Sequence, residues 1–356
     1  MAINKPRVLV TLDSMRYPNT GLYHFGKSLG KALAKENTGF NLTYFLHKSV
    51  TEFDADAAIH RTYLQKHHKF FFYNNKGIDL FHFTDQFSRL KPKKVRSKYK
   101  KILTIHDINQ VHENVGKEKL NLYLKKLGER INSSNKIVTI SNFAANDVLT
   151  YFPHIANRLT VIHNGADKLI LKQGHQPAYF PQKPFLFTIG IVAAKKNFHV
   201  LPALLANNDF ELVISGIKTP YEEKIIEEAK KHGVENRVKI TGPISDDDRA
   251  WYYKNCEAFV FPSIAEGFGL PVIEAMHFGK PVFVSTRTSL PEIAGDYAYY
   301  FDDFEPAEMQ NVFNVGLEDF HKNSPSDKII AHAETFNWDE TAKRYLELYQ
   351  EVLKGR

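Results

Sequence analysis

The stretch EGFGLPVIEAMHFGKP, Glu266 to Pro281, sets two glutamates eight positions apart around a glycine-rich turn. The apolar run AFVFPS (258–263) precedes it and reads as a strand. Pro271 suits a first helical turn, where its missing N–H has no partner to lose. The helical pattern stops at Gly279, with Pro281 just beyond. Gly267, Phe268 and Gly269 thus offer backbone amides where a helix starts at Leu270, a place that favours anions and hydroxyl-rich ligands. Glu266 stands before the turn and Glu274 about one turn into the helix. That separation suits hydrogen bonds to hydroxyls on two sugar rings. The plain structural alternative is a surface Glu266 and a Glu274 that only complements the helix dipole.

Three other strand ends carry residues of the same kind. In TIGIVAAKKNFHVL (188–201) a strand ends at Gly190, and Lys195 and Lys196 stand just before a helix start. Paired ammonium groups there could hold a diphosphate as its charge develops on leaving; ordinary surface lysines are the alternative. In NTGLYHFGKSLGKAL, Gly21 opens a helix whose backbone could approach a phosphate. In TIHDIN, His106 ends a strand, where a histidine is either structural or catalytic.

These positions need a frame of parallel strands, because ligands of open α/β sheets sit beyond the carboxyl ends of the strands. Short apolar runs alternate with amphipathic stretches along the 356 residues. Strands are expected at 7–13, 40–47, 69–74, 79–84, 101–107, 136–141 and 158–165, then at 184–190, 210–216, 237–242, 258–263 and 281–286. The proline-bearing stretch LILKQGHQPAYFPQK reads as a linker, 169–183, between an N-terminal Rossmann-like domain (1–168) and a C-terminal one (184–335). Two such doubly wound domains, facing each other, would form a cleft. The stretch 336–356 reads as an amphipathic helix that could cross back to the first domain.

Composition narrows the function classes. Hydrophobic residues make up 43% and charged residues 24%, as in ordinary globular proteins. The single cysteine, Cys256, excludes an intramolecular disulfide framework or a Cys-rich metal site. The run VLVTL near the N-terminus is too short for a signal-peptide core, and no apolar run reaches the roughly 18 residues of a membrane span. A cytoplasmic protein is expected. The 47 basic residues exceed the 40 acidic ones, and eight of the thirteen residues of RLKPKKVRSKYKK (Arg89–Lys101) are basic. That segment is either a solvated loop or a contact for an anionic membrane surface, aided by KFFFYNN nearby in sequence. No nucleic-acid signature is present. The acidic runs SDDD (245–248) and DDF (302–304) read as helix-cap and loop residues, so no metal is expected.

At this level the chain resembles the family-four retaining glycosyltransferases, also described as group 1 glycosyl transferases, with the GT-B architecture. PSIAEGFGLPVIEAMHFGKPVFVSTRTSLPEIAGDYAYYFDDFEP resembles their signature, with Glu266 and Glu274 as the Glu-x7-Glu pair. TIGIVAAKKN is similar to the family's glycine strand and Arg-Lys-Asn, with Lys195 in place of arginine. IVTISNFAANDV and LTVIHNGAD are similar to N-domain landmarks, the latter with His163 where proline is usual. The resemblance implies two facing Rossmann-like domains and a nucleotide-diphosphate sugar as donor, with no bound cofactor or metal. It assigns Glu266 to the transferred sugar near the reacting centre and Glu274 to the ribose hydroxyls. The amides of Gly267, Phe268 and Gly269 would meet the sugar hydroxyls, Leu270 would contact the donor, Lys195 and Lys196 the diphosphate, and Ile244 the base. Gly21 and Gly190 would allow close approach of the donor, and His106 would lie near its sugar. Lysine at 195 keeps the charge but loses arginine's fork.

The reaction implied is transfer of a hexose to a saccharide or lipid-linked saccharide, in cell-surface polysaccharide or lipopolysaccharide synthesis, by an enzyme cytoplasmic or peripheral on the inner membrane face. The segment SLPEIAGD looks most like mannosyl-transferring relatives, which favours GDP-mannose over a UDP-sugar. A sugar-nucleotide epimerase, or a non-catalytic sugar-nucleotide-binding protein of the same architecture, is the alternative. A dehydrogenase is disfavoured because no Gly-x-Gly-x-x-Gly follows a strand.

Overall fold

A computed structural model describes residues 5–18, 20–113 and 115–355, apart from the side chain of Lys69. Met1–Asn4, at the start of the N-terminal domain expected from the sequence, and Asn19, in the Gly21 stretch, lie outside the described residues, as does Arg356. The chain divides into two compact units, one of residues up to 165 with 337–356, the other of residues 166–336.

In the first unit the strands are β1 (Arg7–Thr11), β2 (Asn41–Leu46), β3 (His60–Tyr63), β4 (Leu80–Phe83), β5 (Lys100–Ile105), β6 (Lys136–Thr139) and β7 (Leu159–Val161). They form one sheet in the order β3-β2-β1-β4-β5-β6-β7, and every adjoining pair is parallel. Helices α1 (Gly21–Glu36), α2 (Lys117–Asn132) and α3 (Asn142–Tyr151) connect strands. The chain's last helix, α10 (Trp338–Lys354), completes this unit. One face of the sheet buries Val8, Val10, Tyr44 and Leu46 with Leu29 and Leu33 of α1 and Ala342, Tyr345 and Tyr349 of α10. The other buries Leu9, Phe81, Phe83 and Leu103 with Leu127 and Ile131 of α2 and Val148 of α3. A buried polar chain ties α10 to the sheet: His82 bonds the Tyr349 hydroxyl at 2.6 Å and Thr104 at 2.9 Å, and Thr104 bonds Tyr345 at 3.0 Å. Buried polar groups need such partners.

The aromatic run at 69–74 does not form the strand that its composition suggests. The strand in that region is β3, HRTY, which pairs with β2 at the sheet edge. Edge position explains its half-exposed, weakly apolar sequence. Phe72 packs on Phe81, while Phe70, Phe71 and Tyr73 are exposed by 71, 50 and 76%. The run pairs with no strand of the sheet: it passes from a 3-10 turn, Lys66–Lys69, into a loop.

In the second unit the strands are β8 (Phe185–Ile189), β9 (Glu211–Ser215), β10 (Val238–Gly242), β11 (Ala258–Phe261), β12 (Val282–Ser285) and β13 (Tyr299–Phe301). Their order is β10-β9-β8-β11-β12-β13, again all parallel. The helices are α4 (Glu222–Lys231), α5 (Asp246–Asn255), α6 (Leu270–Met276), α7 (Leu290–Ala294), α8 (Pro306–Asn323) and α9 (Ser326–Glu334). Residues 169–183 carry no strand or helix and lie against this unit: Lys172 pairs with Asp247 at 2.7 Å and His175 with Asp248 at 2.7 Å. The chain runs outward in opposite directions from the middle of each sheet. The reversal falls between β1 and β4 in the first unit and between β8 and β11 in the second. Such a reversal leaves a crevice at the strand carboxyl ends.

Candidate functional site

Lys195 and Lys196 leave β8 and Glu266 leaves β11, so all three flank the reversal point of the second unit. A 3-10 turn, Ala194–Lys196, ends at Asn197 in the left-handed conformation (φ 58°). The exit loop of β11 is fastened to this turn, since Ile264 N donates to the Lys195 carbonyl at 2.9 Å and Ser263 Oγ donates to it at 3.1 Å. This stitching brings Lys196 Nζ into a direct ion pair with Glu266 Oε1. Both side chains are only 13% exposed, and the Lys196 ammonium lies 4.9 Å from the centre of the Phe261 ring.

Bare backbone at Gly190 is part of the same arrangement. A Cβ there would stand 3.2 Å from Lys196 Cε, and the Gly190 carbonyl lies 1.9 Å from where a Gly216 Cβ would be. Gly216 itself has φ 128°, a conformation open only to glycine without strain.

The turn after Glu266 is held from the β12 side. Thr288 Oγ1 accepts from Glu266 N at 3.0 Å, and Ser289 Oγ donates to the carbonyls of Glu266 (3.1 Å) and Phe268 (3.0 Å). Thr288 has φ 55°, unusual for a β-branched residue and a mark of local strain. Gly267 is half-buried, Phe268 is buried with its ring against Phe336, and Gly269 opens into α6 with φ 107°. Leu270 is the first residue of α6.

Glu274 belongs to a separate network. It is buried on α6, with Tyr253 donating to Oε2 at 2.9 Å and Arg249 Nη1 standing 3.5 Å from Oε1. Asp246 holds the same guanidinium at 3.0 Å. Burial pushes the Glu274 carboxyl above its usual range, against the opposing pull of Arg249 and Tyr253. The structure therefore joins Lys196 to Glu266 but not to Glu274, while the Lys195 side chain is half-buried and makes no bond with either carboxylate. Ile244, half-buried, follows β10 and precedes Ser245, whose side chain caps α5 by accepting from Asp248 N at 3.0 Å.

Two candidate residues belong to the first unit. Gly21 starts α1 behind the N-cap Thr20, and a Cβ on it would meet nothing within 4 Å. His106 follows β5, is 8% exposed, and its Nε2 bonds the Thr84 carbonyl at 2.8 Å. Its ring meets Phe25 edge-on, and burial holds its pKa below the usual value against that carbonyl bond.

Sequence reasoning missed Arg249, Tyr253, Thr288 and Ser289. A signal existed for the first two: positions 249 and 253 are four apart on a helix and so share a face. Thr288 and Ser289 act on Glu266 from 22 and 23 residues away, and no local pattern carries that.

Comparison with known proteins agrees with the fold. The model described as "Glycosyltransferase Family 4" matches residues 29–168 and that described as "Glycosyl transferases group 1" matches 173–329. The O-antigen chain mannosyltransferase B of Escherichia coli is 26% identical over 270 residues, covering 70% of this chain and 70% of its own. The serotype-specific mannosyltransferase WbdA of Escherichia coli is 27% identical over 254 residues; the match covers 65% of this chain but only 31% of WbdA. Among solved structures, sucrose-phosphate synthase of Thermosynechococcus elongatus superposes with a TM-score of 0.77 at 18% identity, over 99% of this chain and 100% of its own. Anabaena HepE in complex with UDP and glucose gives 0.71 at 15% identity, over 97% and 100%. Both sheets, of seven and six parallel strands, thus have the GT-B fold.

Proposed function

The chain belongs to glycosyltransferase family 4, and we propose from that premise that it moves a hexose, mannose, from GDP-mannose to a saccharide or lipid-linked saccharide with retention at the anomeric carbon. The mannosyltransferases among its relatives support mannose and O-antigen synthesis, while the UDP in HepE keeps a UDP-sugar as the competing donor.

One observation carries the reading: the Lys196–Glu266 pair at the reversal point of the second unit, where open α/β sheets hold their ligands. In the unliganded chain each group neutralises the other. A diphosphate would draw the Lys196 ammonium to itself, with Lys195 as a second cation, and release Glu266 to the sugar. The bond from the anomeric carbon to the diphosphate oxygen breaks as the acceptor oxygen bonds that carbon from the same face. The acceptor's proton passes to the departing diphosphate. Retaining glycosidases use a second carboxylate as nucleophile. Glu274 is not part of the Lys196–Glu266 pair and stands in its own network with Arg249 and Tyr253; we assign it to the ribose hydroxyls, which its remaining lone pairs can accept, with Ile244 beside the base. Gly267, Phe268, Gly269 and Leu270 line the sugar.

The test is incubation of the purified protein with GDP-mannose or UDP-glucose and a mannose-terminated acceptor, with the product's anomeric configuration read by NMR. An α-linked product from GDP-mannose supports the proposal, and an inverted product ends it. The basic segment 89–101 extends the reading to docking on the anionic inner face of the cytoplasmic membrane, a place consistent with the fact that no described helix is long and apolar enough to cross one. Equal binding to neutral and anionic vesicles at low salt would end that part.

A further inference from the structure

The basic segment does more than present charge. Between residues 93–101 and the end of α2 lies a hollow of about 470 Å³, lined by Lys93, Lys94, Arg96 and Lys101 and by the polar run Asn132–Asn135. It sits at the amino ends of β5 and β6, the end of the sheet opposite to the one that carries Gly21 and His106. No carboxylate lines it.

Lys101 is the unusual member. It is only 4% exposed, yet its ammonium makes a single hydrogen bond, to the Val95 carbonyl at 2.8 Å, and no carboxylate among the described residues pairs with it. An ammonium has three donors and a buried cation without a countercharge is costly. Burial accordingly holds its pKa below the usual lysine value. Lys94 and Arg96 have no ion-pair partner among the described residues, and only Lys93 is neutralised, by Glu129. A bare helix carboxyl end repels an anion, because it carries partial negative charge. At the end of α2, three of the last four carbonyls are already covered: Ser133 Oγ donates to Glu129 O at 2.7 Å, Ser134 Oγ to Arg130 O at 2.9 Å, and Arg158 to Ile131 O at 3.2 Å.

We propose that this hollow binds a phosphate group, with the Lys101 ammonium at its floor and Lys94 and Arg96 at its rim. It goes beyond the surface reading of segment 89–101, since it names a built site and stands whether or not the protein docks on lipid. The phosphate can come from a lipid headgroup or from a soluble phosphorylated ligand. The first source is favoured by position: Tyr99, which follows the rim, and Phe72 both pack on Phe81, which places the exposed Phe70, Phe71 and Tyr73 loop on the same face of the sheet. Aromatic and basic side chains side by side suit a bilayer interface.

The test titrates the full chain with inorganic phosphate by calorimetry at low ionic strength, and with phosphatidylcholine vesicles with and without phosphatidic acid. Wild type, Lys94→Ser/Arg96→Ser, Lys101→Met and Lys196→Ala are compared. The proposal expects saturable phosphate binding that survives Lys196→Ala and falls at least about tenfold in Lys94→Ser/Arg96→Ser. It also expects Lys101→Met to lose the response while its unliganded Tm holds or rises, because an uncompensated charge has gone. Phosphatidic-acid vesicles that compete with phosphate identify a headgroup; phosphate binding with no vesicle binding identifies a soluble ligand, and both support the site. Phosphate binding that is absent, or that disappears in Lys196→Ala alone, overturns it. Failure here leaves sugar transfer at Lys196 and Glu266 untouched, and failed transfer leaves this site untouched.

Discussion

Substituting Lys196 and Glu266 singly and together separates a catalytic pair from a structural one. An exposed ion pair contributes about 0–1 kcal/mol, whereas breaking a fully buried one costs about 3–5 kcal/mol by leaving a stranded charge. At 13% exposure for each side chain the pair lies nearer the buried limit. Lys196→Ala should therefore lower stability by about 2–3 kcal/mol, including about 0.5–1 kcal/mol from the lost contact with Phe261. Glu266→Gln should cost about 2 kcal/mol for the same reason. The double variant Lys196→Met/Glu266→Gln strands no charge and should recover most of that loss.

Turnover should behave differently. Each single variant should fall at least about a hundredfold, since loss of one preorganised group at a developing charge costs roughly 2.7–4 kcal/mol of barrier. The double variant should stay as low as the singles. Urea unfolding and single-turnover transfer, measured on the same preparations, give the two readouts. Recovery of turnover together with stability would make the pair structural only. Near-normal turnover in either folded single variant would remove its catalytic assignment.

Two further outcomes follow from buried carboxylates. Glu274→Gln keeps an acceptor for Tyr253 but loses the charge facing Arg249, so donor affinity should fall about tenfold or more with little change in kcat; calorimetry giving an unchanged Kd would refute its ribose role. Asp13 is buried and lies near Asp85, and burial first, then that neighbour, pushes its carboxyl from 3.8 to about 6. The folded state thus holds this proton more tightly than the unfolded one, so its contribution is fully present below about pH 4 and is lost as pH rises through about 6. The shift corresponds to at most about 3 kcal/mol. Asp13→Asn should accordingly compare better with wild type at pH 8 than at pH 4.5, and a pH-independent difference in Tm would contradict this.

The parallel sheets were legible because most of their strands are buried on both faces and read as unbroken apolar runs, as in AFVF and the LVI at the centre of ELVIS. The edge strand β3 was not, because HRTY has one poorly covered side, and the stronger apolar signal of residues 69–74 belongs to a loop. At the site, the rule of searching after each strand leads to Lys196 and Glu266 without any structure. It cannot tell which carboxylate the lysine meets. That depends on Ser263 and Ile264 fastening to the Lys195 carbonyl and on Thr288 and Ser289 holding Glu266, all contacts between distant loops. The Arg249–Glu274–Tyr253 network escaped for a related reason: its partners lie on two helices, and the acidic start of α5 drew attention to capping instead.

The most direct measurement is calorimetric titration of wild type and Lys195→Ala/Lys196→Ala with GDP-mannose and UDP-glucose. Saturable binding of one donor by wild type, weakened at least about a hundredfold when both ammonium groups are gone, is the expected result. Equal affinity in the two proteins would place the activated sugar somewhere other than at these lysines.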